Sequence, residues 1–103
     1  MEYVDIKSFE IVKGTGAAFG KNFYDHTIVR GFPGLAAFEV GMNSSNPDYD
    51  LVVVTITWVD KEAYLNFKKS DVHAASHKQR TPNPNMIRHH SMNFEKVHTL
   101  IVD

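Results

Sequence analysis

The segment "KKSDVHAASHKQR", residues 68–80, sets His73 and His77 four positions apart. Residues i and i+4 of a helix share a face, so two such imidazoles can meet one ligand or one transition metal ion. A zinc or copper site would draw a third ligand from His89, His90 or His98. The common catalytic metal motif places a glutamate beside the first histidine of such a pair, and Ala74 stands there instead. No dedicated zinc or flavin site is therefore expected, and His73 reads as a surface or pocket-rim residue. Near a helix C-terminus His77 would also complement the helix dipole as a cation. Lys68, Lys69, Lys78 and Arg80 surround the pair. They would suit the carboxylates of an anionic ligand, although scattered lysines more often form a solvated face.

The elements that position these residues follow from patterning. "YVDIKSFEIV" (3–12) alternates as a strand, with Val4 and Ile6 on one face and Phe9 and Ile11 on the other. "KGTG" (13–16) breaks it, and Thr15 is an N-cap candidate for a helix from Ala17 to about Arg30. Gly20 inside that helix costs about 1 kcal/mol relative to alanine, so packing must stabilise it. "GFPG" (31–34) is a turn, "LAAFEV" (35–40) a second strand, and 41–50 a hairpin loop. "LVVVTITWV" (51–59), β-branched almost throughout, is the clearest strand. Asp60 caps a helix beginning at Lys61, on which Tyr64 and Phe67 share a face, and Ser70 caps a further short helix. Residues 79–91, with two prolines, read as loop, and 92–102 as the closing strand.

This order, β-α-β-β-α-β, is the ferredoxin-like plan of the α+β class, with one antiparallel sheet and its helices on one face. The strand at 51–59 complicates it. Val52, Val54, Ile56 and Trp58 occupy one face, while Leu51, Val53 and Val59 occupy the other. Strands apolar on both faces are normally buried on both. Two copies packed sheet to sheet, a homodimer, resolve the conflict.

Composition narrows the function classes. The 103 residues read as one domain spanning 1–103. A net charge of -1 lacks the basic footprint of nucleic-acid binding. Cysteine is absent, which removes disulfides, thiolate metal sites and a cysteine nucleophile. No apolar run is long enough for a membrane helix, and the N-terminus lacks signal-peptide character, so no membrane partner and a cytoplasmic location are expected. Seven Phe, four Tyr, one Trp and six His hint at a ligand.

The stretches "VKGTG", "GFPGL" and "TWVDKEAYLNFKKSDVHAASHK" together resemble the antibiotic-biosynthesis-monooxygenase (ABM) superfamily, and within it the IsdG-type haem-degrading monooxygenases. The resemblance runs from about residue 9 to residue 80, and "KSDVHAASHK" is its specific part. It implies a dimeric α/β barrel of ferredoxin-like subunits. It further implies that His77 binds haem iron as the axial ligand, while His73 matches no family ligand. A tryptophan that presses on the porphyrin in such enzymes corresponds to Phe67. An asparagine that hydrogen-bonds the distal ligand corresponds to Lys7. Tyr64 and Phe67, from the preceding helix, would line the haem slot. A Lys7 ammonium in that slot would need an acidic partner such as a haem propionate, or could reach back to solvent.

The activity so implied is oxygen-dependent opening of the porphyrin with iron release, driven by an external electron donor, with haem as both substrate and cofactor. Phe67 and Lys7 would be the catalytic positions, and both differ from the family pattern. Two other functions use the same cavity: a cofactor-independent monooxygenase of a polycyclic aromatic substrate, with histidines as acid–base groups, and a non-catalytic haem-binding dimer.

Overall fold

The computed structural model describes residues 1–78 and 83–102. Its elements are β1 (Tyr3–Val12), α1 (Gly16–Asp25), β2 (Leu35–Asn43), β3 (Tyr49–Trp58), α2 (Lys61–Lys69), α3 (Asp71–Lys78) and β4 (Met86–Glu95). The strands form one antiparallel sheet in the order β2-β3-β1-β4, and the helices lie on one face, as the ferredoxin-like plan requires. Among the described residues no helix is long and apolar enough to cross a membrane.

Register decides which side chains meet. β1 and β3 pair Tyr3 with Trp58, Lys7 with Val54 and Phe9 with Val52, so these residues face the helices. Opposed residues of an antiparallel pair share a face, and successive residues alternate. Phe9, Ile11, Val52, Val54, Ile56 and Trp58 are buried there, with Phe67 of α2 and Val29 of the α1–β2 connection packed on them. The helix α1 comes close because Gly20 has no side chain; a Cβ there would stand 3.2 Å from Val40 Cγ1. Gly34 likewise admits α2: its φ is +89°, and a Cβ would fall 2.5 Å from Ala63 Cβ.

The "KGTG" turn is held from across the sheet. Asp50 Oδ2 accepts from the Gly14 and Gly16 backbone N–H groups at 3.0 and 2.9 Å, and Lys13 Nζ lies 3.3 Å from Asp50 Oδ1. The Gly16 N–H bond, with help from Lys13 and Gly14, holds the Asp50 carboxyl below the ordinary carboxylate range. Asp60 Oδ1 caps α2 by accepting from Ala63 N at 2.8 Å, and Ser70 Oγ accepts from His73 N at 3.2 Å to start α3.

Several boundaries differ from the sequence reading. Helix α1 stops at Asp25 rather than near Arg30, where the β-branched run Thr27-Ile28-Val29 follows. β2 extends to Asn43 and β3 starts at Tyr49, leaving a shorter hairpin loop. β3 ends at Trp58, one residue before Val59. The largest correction concerns the last strand, which occupies Met86–Glu95 and not 92–102. Its histidines, Arg88 and Asn93 are tolerated because β4 is an edge strand, exposed along nearly its whole length. The apolar segment after it, with Val97, Leu100, Ile101 and Val102, is exposed and outside the strand. Of the expected 79–91 loop, residues 79–82 lie outside the described residues.

The opposite sheet face carries Ile6, Val53, Met92 and Phe94. Val4 and Thr57 of this face are buried, but Met92 is 61% exposed and Phe94 41%, so the face keeps large apolar side chains in water in the single chain.

Candidate active site

Between the sheet and the helices lies a cavity of about 450 Å³, within the range of small-molecule sites. Phe9, Phe19, Phe23, Trp58 and Phe67 supply aromatic walls. Asp5 and Lys7 project from β1, while His26 approaches from the end of α1, His73 and His77 from α3, and His89 from β4. Four of the six histidines thus line one cavity.

Each side chain arrives by a simple local rule. Asp5, Lys7 and Phe9 alternate along β1 and so share the helix-facing side. Lys7 Nζ stands 3.6 Å from Asp5 Oδ2, with the Asp5 side chain 8% exposed and that of Lys7 31% exposed. His89 pairs directly with Phe9 across the β1–β4 ladder and therefore faces the cavity. His90 pairs with Ser8 and faces away. His98 is exposed and beyond the strand.

His73 and His77 fall on one face of α3, with Nε2 atoms 3.2 Å apart and ring centroids 4.4 Å apart. His73 is half-buried, and its ring meets the Phe67 ring edge-on at 5.2 Å. Burial first, and then the neighbouring Lys68, His77 and Lys7, push the His73 pKa below the ordinary imidazole value. His77 is the outer member of the pair and is exposed.

Phe67 belongs at once to the core and to the cavity wall. Its ring lies 5.3 Å from Trp58 and 5.2 Å from Phe32, and it is 7% exposed. The Trp58 Nε1–H is buried without a hydrogen-bond partner among the described residues. Tyr64, read from the sequence as a slot residue, is not among the residues lining the cavity. It packs on Tyr3 at 4.9 Å, and burial with the Asp5 and Tyr3 charges raises its pKa. A helix face is too coarse a guide here: Phe67, three positions on, turns toward Trp58 while Tyr64 stacks over the start of β1.

Asp5 and His26 were not singled out by their types, His89 entered only as one of three possible third metal ligands, and Trp58 only as a residue of one strand face. Asp5 was within reach, since two residues from Lys7 on a strand means the same face. His89 was hidden by the misplaced last strand. Among the described residues no group of three or more His, Cys, Asp or Glu side chains is arranged to hold a metal ion.

Comparison with known proteins bears on this site. Over 78 residues the chain is 27% identical to the Staphylococcus aureus protein "Heme oxygenase (staphylobilin-producing) 1", covering 76% of this chain and 73% of that protein. Its fold matches that of a Bacillus cereus protein described as an antibiotic biosynthesis monooxygenase, with a TM-score of 0.84, 21% identity and 98% of both chains covered. It also matches MhuD, a haem-degrader of Mycobacterium tuberculosis solved with two haems in its active site. There the TM-score is 0.68 and the identity 24%, over 95% of this chain and 98% of that one. The family model for antibiotic biosynthesis monooxygenase matches residues 3–79, and the chain belongs to that family.

Proposed function

We propose that this protein binds haem through His77 and opens its porphyrin ring in a reaction that consumes oxygen and external reductant and releases iron. The observation that carries this reading is the convergence of His77, Phe67 and Lys7 on one aromatic-walled cavity. The donor set fits haem: an exposed imidazole at the mouth, apolar rings for a flat macrocycle, and lysines for its carboxylates. The distant likeness to haem-degrading relatives supports the same choice. When bound, haem supplies the oxygen-activating iron and is also the molecule attacked.

The chain's own residues then have separable tasks. His77 would hold the haem iron through an imidazole nitrogen. Phe67, braced from behind by Trp58 and Phe32, presents a rigid ring to the bound plane. Lys7, held near Asp5, would bring a hydrogen-bond donor into the cavity on the same face of β1 as Phe9.

The proposed assembly is a homodimer of this one-domain chain, 1–103, closed sheet to sheet over Ile6, Val53, Met92 and Phe94. Such burial would cover the apolar face that a single chain leaves in water. The proposed location is the cytoplasm, in keeping with an N-terminal sequence that lacks signal-peptide character.

The test loads the protein with haemin, adds ascorbate under air, and follows the Soret band together with chelatable iron. Decay of the band with iron release is the expected result. Stable binding without decay would leave a haem-binding dimer, and no binding would turn attention to a cofactor-independent oxidation of an aromatic substrate.

A further inference from the structure

We propose that His73 and His77 form a second, alternative site on α3: a two-imidazole chelate for a divalent transition ion that competes with haem for His77. This rests on the reading of His77 as the haem ligand, and it adds a metal site that haem degradation does not require.

The geometry points to it. With metal–nitrogen bonds of about 2.0–2.1 Å, two imidazole nitrogens on one ion stand about 2.9 Å apart at a right angle and about 3.3 Å at the tetrahedral angle. The two Nε2 atoms are 3.2 Å apart, inside that interval. Both rings start from one turn of the same helix, and the backbone beneath them is fixed by the Ser70 cap on His73 N. The edge-on Phe67 ring restrains His73. Imidazole nitrogen suits zinc, copper and nickel over the harder ions.

The same 3.2 Å contact could equally be an N–H···N hydrogen bond, and in either state the Nε2 of His77 is engaged. A haem iron must displace whatever holds it. An ion chelated by the pair occupies the nitrogen that haem needs, and with no third protein ligand among the described residues its remaining positions are filled by water. The pair therefore makes an exchangeable site and not a structural one, and free transition metal lowers haem uptake.

The probe is zinc, titrated calorimetrically into haem-free protein. One ion per chain is expected, weakened about tenfold or more by either His73→Ala or His77→Ala, because each variant leaves a single imidazole. His73→Gln repeats the test with a side chain of similar reach, and circular dichroism confirms that α3 persists. Unchanged zinc binding in the His73 variants would overturn the chelate. Haemin titrations with and without zinc follow. Zinc should raise the apparent haemin Kd of wild type and leave that of His73→Ala unchanged. If zinc binds at the pair while haemin affinity is unaffected, the competition is wrong. If His77→Ala binds haemin like wild type, the haem-ligand reading fails, a result separate from the zinc titration.

Discussion

Lys7 Nζ stands 3.6 Å from Asp5 Oδ2, and both groups line the cavity from the same face of β1. Asp5 is buried, and Lys7 keeps about a third of its side chain accessible. The ammonium is thus anchored by a carboxylate that has little access to water, while its own end can turn to a ligand.

Replacing Lys7 with alanine leaves the Asp5 carboxylate without that cation. The expected stability loss is on the order of 1 kcal/mol, held down by the partial exposure of Lys7. Urea denaturation of Lys7→Ala and of Asp5→Asn/Lys7→Ala measures it, and the double variant should recover part of the loss. In the haem assay Lys7→Ala should slow ascorbate-driven decay roughly tenfold or more, because a donor to the reacting end is gone. Decay at the wild-type rate would remove Lys7 from the catalytic account.

Phe67 is expected to register in both stability and turnover. Truncation to alanine opens a void among Trp58, Phe32 and His73 and should cost about 3–5 kcal/mol. Phe67→Trp adds bulk toward the cavity. It should cost about 1–3 kcal/mol from overpacking yet accelerate decay of the Soret band. A tryptophan variant that is well folded and no faster would show that ring pressure at this position is not limiting.

Asp50 predicts an acid-side dependence of stability. Its folded-state pKa is lowered, chiefly by the Gly16 N–H, so its contribution is present above the unfolded value and is lost as pH falls through the folded one. Wild-type stability should therefore decline from about pH 5 downward. Asp50→Asn should be less stable at neutral pH with a flatter acid limb. Thermal melts from pH 7 to pH 3 would show it, and parallel curves for the two proteins would deny Asp50 this role.

The uncovered sheet face predicts assembly. Met92→Asp combined with Phe94→Asp places carboxylates on the face that the homodimer would bury, where charge is costly. Light scattering should report a dimer for wild type and a monomer for the double variant. An unaltered mass would place the contact elsewhere.

Much of this fold was legible because strong local signals agreed with it. The run "LVVVTITW" could only be a buried strand, and Asp60 and Ser70 announced two helix starts that the structure places at those caps. β4 was illegible for a physical reason. An edge strand needs few apolar side chains, so "MIRHHSMNFE" resembles a loop, while the exposed "VHTLIV" resembles a strand. That one error hid His89 and left His90 and His98 looking equivalent to it. Lys7 and Phe67 were assigned by resemblance, and the cavity brings them together; Tyr64 it leaves aside. The 3.2 Å approach of His73 and His77 needed side-chain rotamers, which periodicity does not encode.

The most direct test is the haemin titration of wild type and His77→Ala by absorbance and resonance Raman. His98→Ala, altered outside the strands, serves as control. Saturable binding with an iron–imidazole stretch in wild type and the control, both lost in His77→Ala, is the predicted result. If His77→Ala retains the same affinity and the same stretch, the iron is held elsewhere, and the proposed function loses its central residue.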